Sequence, residues 1–510
     1  MPVRSADPRR APGVQARPGR PSAPARRLRL VMLSLVLALV PLQLDSLVAA
    51  TAAPTIAGDL GGFNRIAWIA TAYLLTMAIG TVLAGRLGDM FGRKRMLLAA
   101  TSVFFAGSLG AGISGAMTEF IAARAVQGIG AGMTLTTLLA VVADVVPGDR
   151  RARYQGMLGA IAPFSMIIGP WVGGIITDHL GWRWIFLLNL PLVALSITGA
   201  AVLLQLPAGR RGGRIDYAGL VTIAIASCGI VLAVTWGGHQ YAWGSWQVVG
   251  AAAVALVALA VLAVVERHAD HPVFPPDLFS NRAVLMSFIV MFFGMGAVMA
   301  GAMNFLPLFL QLVQGQSAAN SGLLLLPMLL PMIAVSLLAG RWISTASRFR
   351  PAMILGTAVL TAGCVLLATM SHGTAGWVTA GYMGFVGAGV GLLFQTPLVL
   401  VQNNAPAGEV GAATGAASFL RMIGSAIGVG ALGALFTSTI EGYLADHTAA
   451  GTGGLDVSSL TPGQLGKLPA SARSLVSSAV VAGNSALFWT AVGAAAIALI
   501  AALALPRTHE

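Results

Sequence analysis

Gly85-Arg86-Leu87-Gly88-Asp89-Met90-Phe91-Gly92-Arg93-Lys94-Arg95 separates two apolar blocks, residues 66–84 and 96–115. At about 1.5 Å per helical residue, each block is long enough to cross a hydrocarbon core of about 30 Å. A short Gly-rich, basic stretch between two such blocks reads as a tight turn between membrane helices. The glycines permit backbone turns and close approach. Asp89 is placed to pair with a neighbouring Arg or to meet a helix N-terminus, and the bases hold the loop on the cytoplasmic side.

Working outward, similar blocks recur over residues 30–50, 66–84, 96–115, 118–142, 154–176, 184–204, 218–236, 246–265, 284–310, 322–342, 352–370, 377–400, 411–436 and 486–505. The reading is an all-α membrane protein of fourteen transmembrane helices, with both termini on one side. With the N-terminus inside, 24 Lys and Arg fall on inner segments and 4 (Arg65, Arg183, Lys467 and Arg473) on outer loops. That is the asymmetry of the positive-inside rule. An early miscount would swap the sides of every later loop. Trp68, Trp184, Trp236, Trp246 and Trp377 stand at block ends, where interfacial anchors belong.

Composition excludes several classes. Of 510 residues, 57% are hydrophobic and 9% charged, with a mean hydropathy of +0.83. A soluble chain carries roughly a quarter charged residues. The blocks are too long for the alternating strands of a membrane barrel. The net charge of +13 is spread over many short loops, so no nucleic-acid partner is expected. Cys228 and Cys364 lie in different blocks and read as small core residues. The histidines (179, 239, 268, 271, 372, 447 and 509) stand in no metal spacing, and no phosphate-binding Gly-rich loop with its Lys occurs. The expectation is a protein that is not an enzyme and holds no metal or cofactor.

Residues 1–29, rich in Arg, Pro, Ala and Gly, read as a disordered cytosolic arm. A cleaved signal peptide is the rival reading, but Gln43 and Asp45 interrupt the stretch that it needs. Residues 437–485, rich in Gly, Ser and Thr, read as a long outer loop.

The 85–95 loop resembles the signature between helices 2 and 3 of the major facilitator superfamily. Further stretches resemble its fourteen-span drug:proton antiporters. They are Leu44-Asp45 with Pro54-Thr55-Ile56, Arg124-Ala125-Val126-Gln127-Gly128, Gly169-Pro170-Trp171-Val172-Gly173-Gly174, and Trp182-Arg183-Trp184-Ile185-Phe186-Leu187-Leu188-Asn189-Leu190-Pro191. Phe305 to Gln311 and Gly411-Ala412-Ala413-Thr414 with Arg421 and Gly424 add to them. Met90 departs from the loop signature, Ser165 from the antiporter motif, and the second-half echo of the loop, from Gly340 to Arg348, lacks the acid. The resemblance implies a six-helix half over 30–206, two linker helices over 214–268 and a second half over 280–506. It also implies a substrate site near the midplane, a gating loop at Gly85, Asp89, Gly92 and Arg93, and an antiporter motif at Gly169, Pro170, Gly173 and Gly174.

Ionisable residues inside a span default to functional hypotheses. Asp45 lies ~22 Å from the inner face and Arg124 ~21 Å, at the helical rise and a core of about 30 Å. Asp45 with Arg124 is the candidate proton-coupling pair; the alternative is an ion pair that only fixes packing. Gln127 shares the Arg124 face. Arg421 is near mid-span with no acid in the six spans of its half to pair with it, and reads either as a contact for acidic or carbonyl-rich substrates or as a partner of backbone carbonyls. Gln127, Gln311, Gln395 and Arg421 are the candidate substrate-cavity residues. Gly169-Pro170 reads as a bend in span 5.

The function expected is export of amphipathic drugs, antibiotics or metabolites in exchange for protons. The alternatives are a same-fold exporter of an endogenous lipid, siderophore or amino acid, or a membrane scaffold or enzyme. The partners expected are a small-molecule substrate, protons and the lipid bilayer of a bacterial inner membrane, around a monomer.

Overall fold

The computed structural model describes residues 25–61, 65–206, 216–237, 241–268, 276–315, 324–343, 348–406, 408–447 and 470–506. The first half comprises α1 (Ala25–Leu60), α2 (Ile66–Phe91), α3 (Arg93–Ile113), α4 (Met117–Val145), α5 (Gly148–Gly159), α6 (Ile161–His179), α7 (Arg183–Leu187) and α8 (Asn189–Leu203). A hairpin follows, α9 (Tyr217–Trp236) and α10 (Trp246–His268). The second half comprises α11 (Pro276–Ser280), α12 (Arg282–Val290), a π-helical stretch (Met291–Val298), α13 (Met299–Leu312), α14 (Leu326–Trp342), α15 (Phe349–Ala368), α16 (Gly376–Leu393), α17 (Thr396–Asn404), α18 (Val410–His447) and α19 (Ala470–Leu503).

Among the described residues, twelve helices are long and apolar enough to cross a bilayer. A thirteenth is formed if Arg150–Gly169 and Trp171–His179, which meet at 47°, count as one span. That bend falls at Pro170, as the sequence predicts. Leu326–Trp342 is apolar but only 17 residues long. The fourteen blocks read from the sequence count both of these as spans.

Two boundaries differ from expectation, and a third falls on residues outside the described set. Residues 25–29, assigned to the disordered arm, are the first turn of α1; residues 1–24 lie outside the described set. The linker hairpin begins at Tyr217, and residues 214–215 lie outside the described set. The outer loop at 437–485 is shorter than its composition suggests, because α18 continues to His447 and α19 starts at Ala470. Phe436, Ile440 and Leu444 recur every fourth residue and pack with Val476, Ala479 and Val480 of α19. This single apolar stripe carries both helices beyond the block ends.

Glycine sets how closely the helices pack. A Cβ at Gly128 or Gly132 of α4 would stand 2.3 Å or 2.0 Å from the carbonyl oxygens of Tyr73 and Met77 in α2. One at Gly107 of α3 would stand 2.4 Å from the Gln127 nitrogen of α4. Small residues of this kind let membrane helices approach backbone to backbone.

The two halves meet at the end that carries Gly85. One buried cluster there joins Leu138, Val141 and Val142 of α4 to Leu398, Val401, Ala413 and Ala417 of α17 and α18. A second joins Ala152 of α5 to Ala339, Ile343 and Val399. At the opposite end the core around Ile56, Phe120, Trp182 and Phe186 belongs to the first half alone. Beside the contact of α2 with α18 lies α9, which packs Leu220 and Ile223 against Val82 and Phe419. Its far end sets Trp236 edge-on to Trp68 of α2, with ring centroids 6.4 Å apart.

Candidate functional site

Asp45 and Arg124 form a buried ion pair in the interior of the first half, each 1% exposed. Arg124 Nη1 donates to Asp45 Oδ2 and, at 2.6 Å, to Gln127 Oε1. Gln127 Nε2 donates to Asp45 Oδ1 and to Ser108 Oγ, both at 2.8 Å. Asn189 Nδ2 donates to Asp45 Oδ1 at 3.2 Å. The guanidinium carbon lies 4.2 Å from the Tyr73 ring centroid and 5.7 Å from that of Phe186, and Arg124 Nε donates to the Ile69 carbonyl at 3.4 Å. Five helices and the short α7 thus converge on one carboxylate. The arrangement satisfies the charge, as burial in a low-dielectric interior demands. It also leaves that carboxylate with a single cationic partner.

A second polar cluster closes the Gly85 end. Gly92, at φ +93°, turns the chain from α2 into α3. Asp89 accepts from Arg93 Nη2 at 2.5 Å, and Arg93 Nε donates to Asp144 Oδ2 at 2.5 Å. Asp89 also accepts the backbone N–H groups of Gly411 and Ala412, at the first turn of α18 in the other half. A carboxylate at a helix N-terminus is favourable both as a cap and against the helix dipole. Gly85 permits the approach, since a Cβ there would stand 2.7 Å from the Gly411 carbonyl oxygen. Nearby, Gln155 Nε2 donates to Gln402 Oε1 at 2.7 Å, again across the two halves.

The family model for the Major Facilitator Superfamily matches residues 33–429. The chain belongs to the major facilitator superfamily. It is 35% identical to the multidrug transporter protein MdtP of Bacillus subtilis over 420 residues, 82% of this chain and 77% of that protein. It is 33% identical to multidrug resistance protein 3 of the same organism over 419 residues, 82% of this chain and 81% of that protein. The fold is similar to that of the proton:xylose symporter XylE, with a TM-score of 0.58 at 14% identity, over 95% of this chain and 97% of that one. This facilitator is therefore a multi-pass membrane transporter of small molecules and not an enzyme.

The remaining candidates are placed unevenly. Gln127, expected at the substrate cavity, is fully buried inside the first half, its amide shared between Asp45, Arg124 and Ser108. Arg421 is partly buried on α18, one turn from Ala417, with Phe394 beside it; its guanidinium carbon is 5.9 Å from that ring centroid. Among the described residues it has no hydrogen bond or ion pair. Gln395 adjoins Phe394 at the break between α16 and α17, and its Oε1 is buried without a partner. Gln311 lies one residue before the end of α13. Arg421 therefore stands beside Phe394 at the break between α16 and α17, while the Gln395 side chain packs on Gly159 of α5. In the antiporter motif, Gly169 packs on Leu47 of α1, with 3.0 Å from a built Cβ to the Leu47 Cβ. Gly173 accepts from Thr177 Oγ1 at 2.7 Å, and Gly174 has open space beside it.

Sequence reasoning missed Ser108, Tyr73 and Asn189 as members of the Asp45 cluster, and Gln155 with Gln402 at the closed end. The signal for Asn189 was present, because a polar amide inside the apolar block 184–204 is costly unless it finds a buried partner.

Proposed function

We propose that this facilitator is a proton-coupled exporter of small amphipathic molecules, of the fourteen-span drug:proton antiporter kind. The buried pair of Asp45 and Arg124 carries the reading. Among the ionisable residues read inside spans, Asp45 is the one acid. A lone carboxylate facing one guanidinium has two stable states, ionised and paired, or neutral with the guanidinium released. Movement of the first half that alters the contact would make proton uptake and release depend on conformation. The proton gradient then drives the cycle without a resident cofactor, in a monomer.

The basic residues gathered on one side orient the chain in a bacterial plasma membrane with both termini and the Gly85 loop inside. The closed end is then the cytoplasmic one, and the substrate leaves from the opposite side in alternating access. Arg421, without an acidic partner and beside Phe394, suits an amphipathic substrate that offers a carboxylate or carbonyl group to the cation and a flat apolar part to the ring. A substrate with two positive charges is disfavoured, because Asp45 is the one acid well inside a span. The relatives named as multidrug proteins support export of drug-like compounds.

The test is accumulation of a panel of antibiotics and dyes in a pump-deficient bacterial host, with and without a protonophore. Expression should lower accumulation, and the protonophore should restore it. Lowered accumulation that ignores the protonophore removes the proton coupling and leaves export.

A further inference from the structure

The two amides that touch Asp45 differ in freedom. Gln127 is held at both ends: its Oε1 accepts from Arg124 at 2.6 Å, while its Nε2 donates to both Asp45 and Ser108. Turning it over would set an NH2 group against the guanidinium, donor against donor. Asn189 makes one hydrogen bond, from Nδ2 to Asp45 Oδ1 at 3.2 Å. It stands at the first position of α8, directly after the Leu188 break that separates α7 from α8. It is 7% exposed and reaches the carboxylate from a helix other than that of Arg124.

Every group bonded to the Asp45 carboxylate is a donor. That suits the ionised form. A neutral acid carries an O–H that needs an acceptor, and a guanidinium never accepts. Among the described residues, the charged or titratable groups that face Asp45 are Arg124 from α4 and Tyr73 from α2. α3 and α8 bring only the uncharged Ser108, bonded through Gln127, and Asn189. Of the two amides in contact, only Asn189 can rotate without breaking another bond.

The geometry points to Asn189 as the positioning residue for proton transfer at Asp45: its amide donates to the ionised carboxylate and turns its oxygen to accept the O–H of the neutral acid. This rests on the proton-coupled reading above. In the step, one O–H bond of hydronium breaks and one forms at Asp45 Oδ1, leaving water. Arg124 keeps its charge throughout.

Infrared difference spectroscopy of the purified full-length protein in detergent, titrated with pH, reads this without any substrate. The C=O stretch of the Asp45 acid is the band that vanishes in Asp45→Asn. In the wild type it should lie at the lower wavenumber of a hydrogen-bonded acid. It should move to higher wavenumber in Asn189→Leu and return in Asn189→Gln, which keeps the amide. If Asn189→Leu does not fold, Asn189→Ala takes its place, with the same shift expected. An Asp45 band that is identical in wild type and in the Leu and Ala variants overturns the role of Asn189 and leaves proton binding intact. No Asp45-dependent acid band at any pH overturns the proton-coupled reading, and this role with it.

Discussion

Asp89 accepts the backbone N–H of Ala412 at 2.8 Å, so the last turn of α2 in the first half caps the first turn of α18 in the second. The same carboxylate is held by Arg93, which is held in turn by Asp144 at the end of α4. A loop that is local in sequence thereby fastens two halves that are more than three hundred residues apart in the chain. Of its bonds, the two to Gly411 and Ala412 cross the halves and exist only while the Gly85 end is shut.

Asp89→Asn keeps one acceptor oxygen but removes the charge that faces Arg93 and the helix N-terminus. Caps and helix-end charges contribute about 1–2 kcal/mol, which is a 5- to 30-fold change in a population ratio at about 1.4 kcal/mol per tenfold. The variant should populate conformers open at the Gly85 end by roughly that factor more. Spin labels on the exposed positions Arg95 and Asn404 report it as a longer distance between the halves. An unchanged distance distribution would show that the cap contributes nothing to closure.

Gln155 and Gln402 touch across the halves at 2.7 Å. With Cys228 and Cys364 replaced, Gln155→Cys together with Gln402→Cys should cross-link rapidly with a short bifunctional thiol reagent. Transport should stop on cross-linking and recover on reduction, since alternating access needs this contact to part. Continued transport by fully cross-linked protein would mean that the Gly85 end does not open in the cycle.

Much of the fold was legible because a bilayer imposes a length and a charge rule on every span. The block from 284 to 310 needed no context to be placed as a helix. What sequence could not supply was lateral detail. The π-helical stretch at Met291–Val298 is invisible in composition, yet it turns Gly296 toward the Arg421 carbonyl of α18, 2.7 Å from a built Cβ. The helical ends around Ile440 and Ala479 were hidden by Gly, Ser and Thr, whose loop-like composition masked a four-residue apolar spacing. At the site, depth matched Asp45 to Arg124 because helical rise converts residue number to height. Height carries no information about rotation around the helix. That is why Asn189 went unnoticed until tertiary packing brought α8 against α1, whereas Gln127, read on the Arg124 face, is bonded into the ion pair and fully buried.

Arg124→Leu should destabilise the protein strongly, because it leaves the Asp45 carboxylate buried and uncompensated, at a cost of about 3–5 kcal/mol. Adding Asp45→Asn should recover most of that loss, since removing both charges leaves no ion to desolvate. Arg124→Lys should recover little. The guanidinium fork serves Asp45, Gln127 and the Ile69 carbonyl together and lies over the Tyr73 ring, a combination that an ammonium does not reproduce. Thermal unfolding in detergent orders the variants. Equal unfolding temperatures for the single and double variants would show that the pair is not what holds these helices.

Gly128 faces Thr76 Oγ1 and the Tyr73 carbonyl, 2.2 Å and 2.3 Å from a built Cβ. The hydroxyl can rotate away, but the carbonyl belongs to the α2 backbone and cannot. Gly128→Leu must therefore push α4 off α2, and with it Arg124, one turn away on the same helix. The expected outcome is loss of folded, monodisperse protein in gel filtration. Gly250 of α10 has open space beside it, so Gly250→Leu, equally apolar and equally within a span, should leave yield and profile unchanged. If the two variants behave alike, close contact between α2 and α4 does not position the ion pair, and the apolar bulk of the surrounding clusters suffices.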